Sequence, residues 1–62
     1  MNTRYVEVNS YEELEEETIK AVNNGYRYTN TWGNRRHFWK HDRHLVIECK
    51  FWIEDYYKGE KQ

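Results

Sequence analysis

The sequence predicts an α+β fold in two layers, β-α-β-β-β, with one amphipathic helix packed on one face of a small, mostly antiparallel sheet. Three observations lead there. Residues 44–54 form the most apolar run and alternate in two sets, Leu45, Ile47, Cys49, Phe51 and Ile53 against Val46, Glu48, Lys50, Trp52 and Glu54. That is the period of a strand, whose successive side chains point to opposite faces. Residues 11–24 gather their apolar side chains at the helical period, and between these segments two alternating stretches flank a Gly33-Asn34 turn of the kind that closes tight hairpins.

The first strand is predicted at residues 3–8, where Thr3-Arg4-Tyr5-Val6-Glu7-Val8 is rich in β-formers, with Val6 and Val8 inward and Tyr5 and Glu7 outward. Asn9 and Ser10 end it. Ser10 is a good N-cap, because its hydroxyl can accept from an otherwise unpaired amide of the next turn, and Glu13 stands at the capping-box spacing. The helix that follows, 11–24, places Tyr11, Leu14, Thr18, Ile19, Ala21 and Val22 on one side and its glutamates, Lys20 and asparagines on the other. Asn23-Asn24-Gly25 supplies the stop. Strands are predicted at 26–32, 35–40 and 44–54, with a second turn around His41-Asp42-Arg43 and a polar tail over 55–62. A β-α-β crossover would set the first strand parallel beside the last, making the last strand central. The expected core is Val6, Val8, Leu14, Ile19, Val22, Leu45, Ile47, Phe51 and Ile53.

With 62 residues the chain is expected to be a single domain, and so small a core is helped by an aromatic content of 18%. Cys49 is the sole cysteine and falls on the apolar set of its strand, so a buried thiol is expected and an internal disulfide is excluded. No apolar run approaches a membrane span and the N-terminus does not read as a signal peptide, so the expectation is a soluble, intracellular, cytoplasmic protein without a membrane partner.

Chemistry finds little to hold. His37, His41 and His44 with Asp42 and Cys49 are metal-capable types, but their setting is a hairpin, where His37 and His41 share a side and His44 lies beyond a turn. Exposed histidines and no metal are expected. The carboxylates of Glu7, Glu12, Glu13, Glu15, Glu16 and Glu17 turn mostly to solvent, and no nucleophile is matched with a base, so the chain is expected to be no enzyme, with no catalytic residues, no cofactor and no evident small-molecule substrate.

Charge distribution says more. The formal balance is −1, yet Arg27, Arg35, Arg36, Lys40 and Arg43 cluster between positions 26 and 44, interleaved with Tyr26, Tyr28, Trp32, Phe38 and Trp39. A helix protects only one side of a sheet, so Tyr5, Trp39, Val46, Lys50 and Trp52 are expected together on the uncovered side, with Trp52 at its centre. Aromatic side chains with cations are what protein interfaces use as anchors. The leading expectation is therefore a small binding module that engages a protein partner or itself. In style it resembles the inhibitors and regulators that phages and mobile elements direct at host enzymes. The alternative is binding of single-stranded nucleic acid by the hairpin, with Arg27, Arg35, Arg36, Lys40 and Arg43 on phosphates and Tyr28, Trp32 and Trp39 stacking on bases.

Overall fold

In the computed structural model, which describes residues 2–51, the chain runs β1 (Asn2–Val8), α1 (Tyr11–Asn23), β2 (Arg27–Trp32), β3 (Arg35–Lys40) and β4 (Arg43–Cys49). One four-stranded sheet has the order β1-β4-β3-β2. β1 pairs parallel with β4, and both other pairings are antiparallel. The last strand is thus internal, as the crossover argument predicts, and α1 lies on one face of the sheet.

Local chemistry accounts for the ends of α1. Ser10 is the N-cap and its Oγ accepts from the Glu13 amide at 3.1 Å. The Glu13 carboxylate reaches back to the amide of Asn9 at 2.6 Å, one residue earlier than the standard capping box. At the other end the Tyr26 amide donates to the Ala21 carbonyl and the Gly25 amide to that of Val22, both at 3.0 Å, which is the Schellman arrangement. Gly25 adopts φ +93°, and a Cβ there would meet only the movable end of Lys40 at 3.3 Å. Gly25→Ala is therefore expected to cost about 1–2 kcal/mol through backbone strain alone, a fall of several degrees in thermal melting.

The core consists of Val8, Leu14, Ala21, Phe38, Leu45, Ile47 and Cys49, with Val6, Tyr26 and Phe51 packed at its margin. The Cys49 backbone is held on both sides by Asn34 of the hairpin turn, whose carbonyl accepts from the Cys49 amide at 2.8 Å and whose Nδ2 donates to the Cys49 carbonyl at 2.9 Å.

Four expectations are corrected. Ile19 and Val22 are 56% and 53% exposed, because the helix rests on Leu14 and Ala21, and Val22 and Ile19 turn progressively away from that line. Phe38, grouped by sequence with the surface aromatics, is fully buried, since β3 alternation puts it opposite Leu45 on the helix side. The last strand ends at Cys49 instead of position 54: Lys50 and Phe51 form a bend, with the Lys50 amide donating to the Val8 carbonyl at 2.9 Å. The alternation that assigned Trp52 a face therefore stops short of it. Trp52, Ile53, Glu54 and the expected tail 55–62 lie outside the described residues. Finally, β2 does not alternate simply. A register shift between Tyr28 and Asn30 inserts Thr29, whose hydroxyl donates to the His37 carbonyl at 3.1 Å. Tyr28 and Thr31 thereby share the helix side, joined by a hydroxyl contact of 2.7 Å, while Asn30 and Trp32 take the other face.

Candidate functional site

The face away from α1 carries three cross-strand rows, fixed by register. Thr3, His44, Trp39 and Arg27 form the first, Tyr5, Val46, His37 and Asn30 the second, and Glu7, Glu48, Arg35 and Trp32 the third. Tyr5 and Trp32, on the two edge strands, are 60% and 59% exposed. Between them the internal strands hold a ladder of flat rings. Trp39 stacks on His44 with centroids 4.4 Å apart and planes 8° from parallel, an offset stack of the favourable kind. His37 Nδ1 lies 2.9 Å from His44 Nε2 with the two rings only 14° from parallel. Nitrogens that close belong to rings lying edge to edge, one donating a proton to the other. His44, not His41, is the histidine that meets His37, and both rings are half-buried, which corrects the expectation of separate exposed histidines. His41 sits in the following turn with a left-handed φ of 56°.

Proton sharing gives this ladder a pH dependence. Burial, then the nearby positive charges of His44 and Arg35, hold the His37 pKa below its usual value. An imidazole with a depressed pKa binds fewer protons in the folded state than in the unfolded chain. Its stabilising contribution is therefore complete above the unfolded value near 6.5 and falls as pH drops through it towards the folded value. Melting temperature should decline between about pH 7.5 and 5.5, and His37→Gln should flatten that decline; an unchanged slope would remove His37 as its source.

The charged groups are arranged more evenly than sequence suggests. On this face Arg35 pairs with Glu48 across the strands at 3.3 Å, and Lys50, in the bend beyond β4, approaches Glu7 at 3.8 Å. Arg36 points to the helix side and is 7% exposed, with Nη1 donating to Thr18 Oγ1 at 2.9 Å and its guanidinium 6.0 Å from the Tyr28 ring centre. Tyr28 meets Phe38 edge-on at 5.8 Å, so it too belongs to the helix side. Lys40 donates to the carbonyl of Asn24 at the end of α1, at 2.6 Å. Of the eight residues expected to meet nucleic acid, only Arg27, Arg35, Trp32 and Trp39 share the open face. Arg36, Lys40 and Tyr28 do not, and Arg43 follows the alternation of Leu45 and Ile47 onto the helix side.

For the expected protein-binding set, Tyr5 and Trp39 stand on the open face and Lys50 beside its rim. Val46 is on that face but only 1% exposed. It occupies the internal strand β4, with Tyr5 and His37 as its cross-strand neighbours. Val46 is thus the floor of the face and not a contact residue. His37, His44 and Trp32 also belong to this face, outside the set expected for protein binding; alternation in 35–40 and 44–48 carries the signal for the histidines, whereas the bulge hides Trp32.

Chemistry elsewhere is sparse. Cys49 is fully buried and burial pushes its thiol pKa up, partly offset by Arg36, so the thiol stays protonated at neutral pH. Among the described residues no three His, Cys, Asp or Glu side chains converge on a common point, and no helix is long and apolar enough to cross a membrane. No protein-family model, curated protein or solved structure matches the chain.

Proposed function

We infer that the chain is a small non-enzymatic binding module whose open sheet face engages a protein partner or a second copy of the chain. One observation carries this reading: a sheet face left bare by the only helix among the described residues, floored by Val46, laddered by Trp39, His44 and His37, and flanked by exposed Tyr5 and Trp32. Such rings lose little side-chain entropy when covered and present large apolar area, which is why they anchor interfaces. The paired charges of Arg35 with Glu48 and Lys50 with Glu7 suit the polar rim around such an anchor. An inhibitor or regulator of an enzyme comes first within this reading, as a chain of this size offers a face and a cytoplasmic setting suits its one, buried, reduced thiol.

Nucleic-acid binding is the weaker reading on geometry, because the five cations it needs are divided between two faces and Arg35 already has a carboxylate. Phosphate-driven binding requires cations aligned along one path.

The test is a comparison of variants. Tyr5→Ser with Trp32→Ser removes the two exposed rings, and Ile19→Ser serves as a control on the opposite layer. A partner, or a concentration-dependent dimer seen by sedimentation, that persists in the control and disappears in the double variant supports the reading. Retention by the double variant, or loss only at elevated salt, overturns it in favour of the hairpin cations.

A further inference from the structure

At the end of the sheet where β1 begins and α1 stops, cations from four elements surround one ring. Arg4 on β1 lies opposite Leu45, and Arg43, at the start of β4, lies opposite Asn2, so the two guanidinium groups are diagonal neighbours on the helix side. Lys40 at the end of β3 stands directly opposite Arg43. Lys20 comes from the last turn of α1. Two adjoining concavities of about 170 and 320 Å³ share Arg4 and Tyr26 as walls; Lys20 with its partner Glu17 and Asn24 help to enclose the smaller, which therefore holds a carboxylate, and Thr3, Arg43 and His44 the larger.

This concentration of charge works against the fold. Like charges directly opposite one another destabilise a strand pair, and Lys40 faces Arg43. Ion pairs among the described residues are Lys20 with Glu17, Arg35 with Glu48 and Lys50 with Glu7. Arg4, Arg43 and Lys40 take part in none of these. The bond from Lys40 to the Asn24 carbonyl positions its ammonium without neutralising it. Asp42, next to Arg43 in the turn, closes no ion pair with it among the described residues. The ammonium of Lys40 also stands 5.9 Å from the centre of the Tyr26 ring, so its charge is partly compensated. Arg4 and Arg43 have no such partner among the described residues, and a local rule broken without evident gain marks a functional position.

We propose that this end of the molecule is a binding site for a small phosphomonoester, with Arg4 and Arg43 on the phosphate oxygens, Lys40 close by, and Tyr26 against the group that bears the phosphate. Guanidinium forks match a tetrahedral oxyanion. Two guanidinium charges that close no ion pair among the described residues, with the Lys40 ammonium beside Tyr26, match the near-dianion of a phosphomonoester better than a single carboxylate. The larger concavity has room for the organic part, and it meets the open face only along Thr3 and His44, which border both.

Thermal melting of the full chain at constant ionic strength tests this with inorganic phosphate, adenosine monophosphate and adenosine as probes. Phosphate and the nucleotide are expected to raise the melting temperature saturably, the nucleotide at lower concentration, and adenosine is expected to have no effect. Arg4→Gln and Arg43→Gln should each weaken nucleotide binding at least tenfold. Both residues are exposed, so unliganded melting should hold steady or rise as the repulsion with Lys40 is relieved. No saturable shift with either anion up to about 10 mM, equal binding by both variants, or adenosine matching the nucleotide would overturn the assignment. So would binding of single-stranded RNA with the same arginine dependence but no response to the nucleotide.

Discussion

Phe38→Ala is expected to remove about 3–5 kcal/mol of stability, whereas Trp39→Ala, one residue on, removes much less. Phe38 is fully buried opposite Leu45 and braced by the edge of Tyr28. Deleting its ring leaves a cavity among side chains held by β4 and α1, which can close only in part. A domain of this length has on the order of 3–9 kcal/mol in total, so the variant sits near its unfolding midpoint at room temperature. Trp39 loses a half-exposed stack on His44, worth about 0.5–1.5 kcal/mol beyond its area. Urea unfolding monitored by circular dichroism checks both. A reversed order of the two losses would mean that β3 presents the opposite face to the helix and that the open face described above is the core.

The fold was legible in the sequence wherever one signal governed a whole element. Ser10 and Glu13 announced the start of α1, Asn24-Gly25 its end, and the apolar set of Leu45, Ile47 and Cys49 fixed which side of β4 is core. Legibility failed where a local departure reset the pattern. One inserted residue, Thr29, sends Tyr28 and Trp32 to opposite faces although they stand four apart, a spacing that an unbroken strand keeps on one side. The bend at Lys50 cuts the long alternation that had carried Trp52 to the open face. Arginine beside aromatics in sequence suggests a phosphate contact, and Arg36 fits that pattern. Its own parity in β3, shared with Phe38, sends it to Thr18 instead. Burial on the open face was the hardest to foresee. Val46 is 1% exposed on the internal strand β4, beside a contact of His37 with His44, residues seven apart in sequence, and alternation alone announces neither.

Leu14→Ala is expected to cost about 2–5 kcal/mol while Ile19→Ala changes stability by less than about 0.5 kcal/mol. Both residues are large, aliphatic and helical, and a wheel assigns them to the same broad apolar side. Their surroundings differ. Leu14 is 1% exposed at the centre of the cluster formed with Val8, Ile47 and Cys49, and its carbonyl accepts the Thr18 hydroxyl that in turn receives Arg36. Ile19 lies outside that cluster and stands more than half in solvent. Its truncation also exchanges a β-branched residue for the best helix former, a gain of a few tenths of a kcal/mol that offsets what little packing is lost. Chemical denaturation of the two variants gives the difference directly. A large loss for Ile19→Ala would show that the outer side of α1 is covered in the full chain, and the Ile19→Ser control used to test the open face would then have to move to an exposed polar site such as Glu16.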